Sequence, residues 1–230
     1  MNDGYLLIYG LAILSIIITM GAQLYIKSSY AKYNKEPSKK GLTGSKTARL
    51  ILDKNGLKNV KVEKIGGYLS DHYDPSSKCV RLSEANYEGT GIANVSVAAH
   101  ECGHAIQDKD NYSFMRLRAS LVPIVNLSSK AGYIAILLGC ILGFLGLVWI
   151  GIICEAVILL FQIVTLPVEI DASRRALKKI QEYEILDKKE LSGGKTMLTA
   201  AALTYVASVA SAIIEIFRLI LIYGRRSDRN

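Results

Sequence analysis

The chain lacks the cysteine pattern of a disulfide framework. Its four cysteines, Cys79, Cys102, Cys140 and Cys154, show no Cys-x-x-Cys spacing, and two lie in strongly apolar runs. Cysteine in such a run behaves as a small hydrophobe. A disulfide-stapled fold is thereby excluded, and a reducing compartment suits the polar part. No helix-turn-helix or RNA-binding signature accompanies the net charge of +8, and the basic residues are dispersed, so nucleic acid is excluded as a partner. There is no internal repeat and no low-complexity segment. A cleaved signal peptide would have a basic opening and a small-x-small exit, whereas this chain starts Met1-Asn2-Asp3-Gly4.

Half of the 230 residues are hydrophobic, and the mean hydropathy is positive despite the high charge. That combination points to a modest polar domain joined to membrane helices, with Lys and Arg gathered in cytoplasmic loops. Tyr5 to Ile26 carries no charge and is long enough to span a bilayer. Lys27, Lys32, Lys35, Lys39 and Lys40 all follow it. Residues 1–26 therefore read as an uncleaved anchor, N-terminus outside, with the next domain in the cytoplasm.

A second apolar block, Ala131 to Val168, is broken only by Glu155. As one helix it would be roughly 57 Å long, about twice the hydrocarbon thickness, so it must fold back. Gly143, Gly146 and Gly151 bracket the expected turn between spans near 131–147 and 150–168. Glu155 is an intramembrane carboxylate and so a functional candidate, but its place near the outer end favours a solvated or helix-paired group. Leu198 to Tyr223 is apolar and rich in Ala and Ser. Its Glu215 and Arg218 are spaced to pair on one helical face. A span is expected there, although it would leave Arg225, Arg226 and Arg229 outside; an interfacial helix is the alternative.

The polar part runs from Lys27 to Lys130. A helix opens at Leu42-Thr43-Gly44 and stops at Asn55-Gly56. Val60 to Ile65 alternates as a strand. Gly67 to Tyr73, the turn Asp74-Pro75-Ser76-Ser77 and Lys78 to Ser83 read as a hairpin. A further helix is expected from about Asn94 to Gln107.

That helix contains His100-Glu101-Cys102-Gly103-His104. Residues four apart share a helical face, so both imidazoles can reach one tetrahedral ion. Glu101 is placed to take a proton from water on that ion. Zinc lowers the pKa of such a water to about 7 and polarises a carbonyl as a Lewis acid. Ala98, Ala99, Gly103 and Ala105 permit close packing around the motif. The bland alternative is two surface histidines beside a carboxylate. Catalytic zinc takes three protein ligands and leaves the fourth position to water. His72, in the hairpin, is the remaining histidine; Glu169 and Asp171 are better candidates for the third ligand. Two apart on a helix, they point about 200° away from each other, so one faces the metal. The other is a solvated charge or a partner for an imidazole.

The segment Val97 to Gln107, with Leu69-Ser70-Asp71-His72-Tyr73-Asp74-Pro75 and Leu166-Pro167-Val168-Glu169-Ile170-Asp171-Ala172-Ser173-Arg174-Arg175-Ala176, resembles the signature of the YugP-like zinc metallopeptidases of bacterial membranes. The likeness runs over nearly the whole chain and implies the enzyme class, not a substrate. A more distant similarity is to HtpX and the CaaX prenyl proteases, in which a later E-x-x-A-D completes the site. On that pattern Glu169 is the third ligand, Ala172 matches, and Ser173 stands where Asp would be. The resemblance thus favours Glu169 over Asp171. It also implies an α+β zincin-like catalytic domain combined with an α-helical membrane domain of three to four transmembrane helices. In such enzymes substrate adds as a strand beside the active-site helix. His72 on that strand is then a candidate donor to the tetrahedral oxyanion, or else a solvent-facing or turn-capping histidine. Arg174 and Arg175 either approach the site or meet lipid headgroups.

The expected organisation is an anchor at 1–26, a catalytic domain at 27–130, a transmembrane hairpin at 131–168, a ligand-bearing segment at 169–197 and a C-terminal apolar helix with a basic tail at 198–230. The expected function is that of a membrane-anchored zinc metalloendopeptidase using one Zn2+, with the bilayer and membrane-associated proteins or peptides as partners. An intramembrane placement of the zinc helix conflicts with its polar flanks Asn94, Ser96, Gln107 and Asp108. The non-enzymatic alternative is a catalytically idle zinc-binding scaffold or adaptor. Glu101 speaks against it, because structural zinc needs no general base.

Overall fold

A computed structural model describes residues 2–227. Arg229 lies outside the described residues, and of Arg225 and Arg226 only the backbone is described. The elements follow as α1 (Asn2–Asn34), α2 (Gly44–Lys54), β1 (Lys61–Ile65), β2 (His72–Asp74), β3 (Cys79–Ser83), α3 (Glu84–Glu88), α4 (Ile92–Lys109), α5 (Ser113–Leu142), α6 (Leu145–Glu182) and α7 (Lys188–Ser227). The described residues are mostly helical, with one small sheet. The chain divides into two compact units.

The first unit comprises Met1–Gln23, Arg116–Leu166 and Thr204–Asn230. Gly143, at φ +67°, turns the chain between α5 and α6, and the Phe144 N–H donates to Gly139 O (3.0 Å). A left-handed residue closing a helix is most readily glycine. The two helices then pack through small residues. A Cβ on Gly132 would lie 2.7 Å from Cβ of Cys154, and one on Gly151 would lie 2.3 Å from Ile136. Such contacts let apolar helices approach closely where no hydrophobic drive separates them from lipid. Arg218 Nε donates to Glu215 (2.8 Å), the pairing their spacing implied.

Among the described residues, four helices are long and apolar enough to cross a membrane: Gly4–Asn34, Ser113–Leu142, Leu145–Glu182 and Lys188–Gly224. Their bounds differ from the sequence expectation. Helix α5 begins at Ser113, well before 131, so the expected polar domain to Lys130 includes half of a long helix. Arg116, Arg118 and Lys130 interrupt the apolar run without interrupting the backbone, since Arg and Lys are good helix formers. Likewise α6 passes through Pro167 to Glu182, and α7 joins residues 188–197 to the apolar C-terminal block. Hydropathy marks where a helix changes solvent, not where it ends.

The second unit comprises Leu24–Met115 and Pro167–Leu203. Thr43 caps α2, its hydroxyl accepting from the Lys46 N–H (3.2 Å), and Asn55 and Gly56 (φ +73°) end it where the sequence predicts. β1 pairs parallel with β3, and β2 pairs antiparallel with β3 in the register His72↔Arg81, Tyr73↔Val80 and Asp74↔Cys79. The order β1-β3-β2 leaves β2 at an edge. The first arm of the expected hairpin is reduced to three residues, because Gly67 (φ +102°) and Leu69 (φ +52°) break the extended path before it. The short α3 has no counterpart in the sequence reading.

The core lies between α2, the sheet, α4 and the parts of α6 and α7 in this unit. Ile51, Leu52, Val80, Leu82, Val95 and Ile180 are all essentially inaccessible. Each such side chain contributes about 1.5–3 kcal/mol by leaving water. A buried polar network sets the start of α4. Tyr30 donates to Asn86 Oδ1 (2.9 Å), and Asn94 Nδ2 donates to Asn34 and Asn86 (both 2.8 Å). The Gly91 N–H donates to Asn94 Oδ1 (2.9 Å), a bond that caps the helix carrying the histidines.

Candidate metal centre

His100 and His104 lie one turn apart on α4, and their rings meet edge to face with centroids 4.8 Å apart. Glu169 comes from α6. Its Oε2 is 3.2 Å from His100 Nε2 and 3.5 Å from His104 Nε2. One ligand atom from each of the three lies within 4.8 Å of the others. A tetrahedral ion about 2.0–2.1 Å from each donor would separate neighbouring donors by about 3.3 Å. The two separations between Glu169 and the imidazoles are close to that spacing, and the donor set of two imidazoles and a carboxylate suits zinc.

Backbone contact at Gly103 lets α4 and α6 come this close. A Cβ there would stand 2.5 Å from Ala172 O, and Ala172 and Val168 are wholly buried. The small residue inside the histidine motif is thus the point at which the two ligand-bearing helices touch. Ser173, one residue on, places its hydroxyl 3.1 Å from His100 Nδ1. Gln107 is fully buried, with Oε1 3.0 Å from His104 Nδ1. Its Nε2 donates to Val168 O (2.8 Å) and to Asp171 Oδ2 (2.9 Å). Each imidazole therefore presents Nε2 to Glu169 and has a polar partner at Nδ1.

Glu101 is only 7% exposed. Burial pushes its carboxyl upward; the neighbouring imidazoles oppose this, and the charges of Glu169 and Asp71 reinforce it. Burial by itself lowers His104, but hydrogen bonding to Glu169 and the charges of Glu169 and Glu101 raise it above its ordinary value. Cys102, between the histidines in sequence, turns away: its thiol is buried against Ala48 O (3.6 Å) and is raised by that burial.

The structure places the other sequence candidates outside the cluster. Asp171 lies between Gln107 and Arg175, whose Nε donates to it at 2.6 Å. Tyr73 points to α4, where its hydroxyl donates to Asp108 (2.6 Å). Strand alternation turns His72 to the opposite face of the sheet. His72 is exposed there, with Nδ1 2.9 Å from Ser70 O, and Arg174 is exposed on α6. In the sequence Gln107 counts only as a polar flank of the motif. Its spacing of three from His104 on the helix was the available signal.

No solved structure matches the chain. Residues 8–224 match the family described as "Putative neutral zinc metallopeptidase". The chain is also 42% identical over 220 residues to "Putative membrane protease YugP" of Bacillus subtilis (strain 168), an alignment covering 96% of this chain and 98% of that protein. A match of this extent, spanning every residue of the cluster, makes the chain a member of that zinc metallopeptidase family.

Proposed function

We propose that the protein is a membrane-anchored zinc metalloendopeptidase that cleaves peptide bonds of membrane-associated proteins, with Glu101 as general base. The observation that carries this reading is the convergence of His100, His104 and Glu169 beside a buried glutamate. These three residues are the ones that would hold the ion. Zinc so held supplies Lewis acidity, which lowers the pKa of water to about 7 and polarises the scissile carbonyl.

The chain's own part is proton handling and positioning. Glu101 accepts the proton of the attacking water and passes it to the leaving amine nitrogen. Its buried setting suits that transfer, because a carboxyl raised by desolvation holds the proton until a basic nitrogen appears. An extended substrate can lie along the outer edge of β2, which has a strand neighbour on one side only among the described residues. The face taken by His72 gives no support to its role as an oxyanion donor. Arg174, exposed on α6, is assigned to the lipid or substrate side. The lysines after the first apolar run support a cytoplasmic catalytic unit.

The test is Glu101→Gln in purified protein in detergent. Hydrolysis of a protein substrate should fall by roughly 10²–10⁴-fold, the usual worth of a positioned proton-transfer group, while zinc stays near one equivalent. Normal turnover in that variant would sink the mechanism.

A further inference from the structure

We infer that Gln107 is a positioning residue of this centre: its amide, oriented by Val168 and Asp171, holds His104 as the Nδ1–H tautomer and so directs the Nε2 lone pair to the ion. The inference rests on reading His100, His104 and Glu169 as a zinc site.

The two ends of a glutamine amide have the same shape, so their partners decide which is oxygen. On one side of Gln107 are Val168 O at 2.8 Å and Asp171 Oδ2 at 2.9 Å. A backbone carbonyl can only accept. Asp171 Oδ2, which already accepts from Arg175 Nε at 2.6 Å, is an acceptor as well. A reversed amide would set its oxygen against both. Nε2 therefore takes that side, and Oε1 faces His104 Nδ1 at 3.0 Å. An amide oxygen donates nothing, so Nδ1 must carry the hydrogen, and the neutral ring then has its lone pair on Nε2. That nitrogen is the one 3.5 Å from Glu169.

His100 is treated differently. Its Nδ1 partner is the Ser173 hydroxyl at 3.1 Å, a rotor that donates or accepts with equal ease and imposes no tautomer. One ligand is preset by a locked amide and the other adapts. Because Gln107 is fully buried, water cannot take over its role when it is replaced.

The experiment uses full-length metal-free protein in detergent, titrated with Zn2+ against a competing chelator. The protein contains three histidines, so ¹⁵N-labelled imidazoles give three resolvable ring systems. Gln107→Leu should weaken zinc binding by roughly 10–100-fold, the range for removing an outer partner of a histidine ligand. At alkaline pH, where the rings are neutral, it should move His104 away from the Nδ1–H form. Ser173→Ala should do neither to a comparable extent. An unchanged His104 tautomer in Gln107→Leu, or zinc binding within threefold of wild type, would overturn the inference. His104→Ala separates the two levels. If it binds zinc like wild type, the zinc site itself is wrong; if it loses zinc while Gln107→Leu does not, only the positioning role fails.

Discussion

Glu169 and Asp171 sit two residues apart on one helix and have opposite fates. Glu169 is 2% exposed and faces both imidazoles, while Asp171 reaches His104 only through Gln107. Glu169→Ala should therefore cost more zinc affinity than the roughly 10–100-fold of an outer partner, whereas Asp171→Ala should retain zinc with a smaller loss. Chelator competition on both variants measures this, and the reverse ranking would reassign the third ligand. The site also sets a pH dependence. In metal-free protein His104 and Glu101 are both raised above their ordinary values. A raised group contributes stability below its unfolded value, about 6.5 for His and 4.3 for Glu, and loses it as pH rises through the higher folded value. Asp187, held at about 2 by backbone hydrogen bonding at Glu190 and by Lys39, has completed its contribution well below that window. Chelator-treated protein should thus melt lower at about pH 8.5 than at about pH 6, and zinc should reverse the trend, because its ligands must shed protons to bind it. A metal-free melting temperature that climbs over this interval would contradict the assignment.

At the scale of elements, the pairing of α4 with α6 makes the site, and glycine makes the pairing. His100, Glu101 and His104 were legible because the 3.6-residue period puts ligands four apart on one face whatever surrounds the helix. Gln107, Ser173 and the separation of Glu169 from Asp171 are properties of the contact between two helices more than sixty residues apart in sequence. Local periodicity narrows that last choice to two residues but does not say which face meets α4. The sheet has its own consequence for probing orientation. Cys79 lies on β3 with its thiol buried and pushed up to about 11, chiefly by that burial and then by Glu63. Cys102 is buried under α2. Neither should react with a thiol reagent in the folded protein. Ser76, exposed in the β2–β3 turn, is the better reporter. In a Cys140→Ala background, Ser76→Cys should resist an impermeant reagent in intact cells and label after permeabilisation. Labelling of intact cells would put the catalytic unit outside and overturn the charge-based orientation.

For the whole molecule, the course of α6 supports the substrate class that we propose. Glu169 follows directly on the apolar stretch of α6, in a chain with four helices suited to a bilayer. A site tied to a membrane in this way meets tethered segments at a far higher effective concentration than free ones. One cleavable sequence, presented in the same proteoliposomes both free and fused beside a transmembrane helix, should be cut faster in the fused form. Equal cleavage per molecule would leave the membrane setting without catalytic meaning. Composition and charge order determined by themselves that the chain carries membrane-competent helices around a polar domain, because burial in lipid demands long uncharged runs that no other constraint produces. The spacing of His100 and His104 likewise determined that two imidazoles share one helical face. The tertiary structure alone decided that Glu169 meets both imidazoles, that Asp171 and Gln107 stand behind them, and that Cys79 is out of reach. Each of these depends on which faces of distant segments pack together, and that follows from the summed burial of the core, not from any local pattern in the chain.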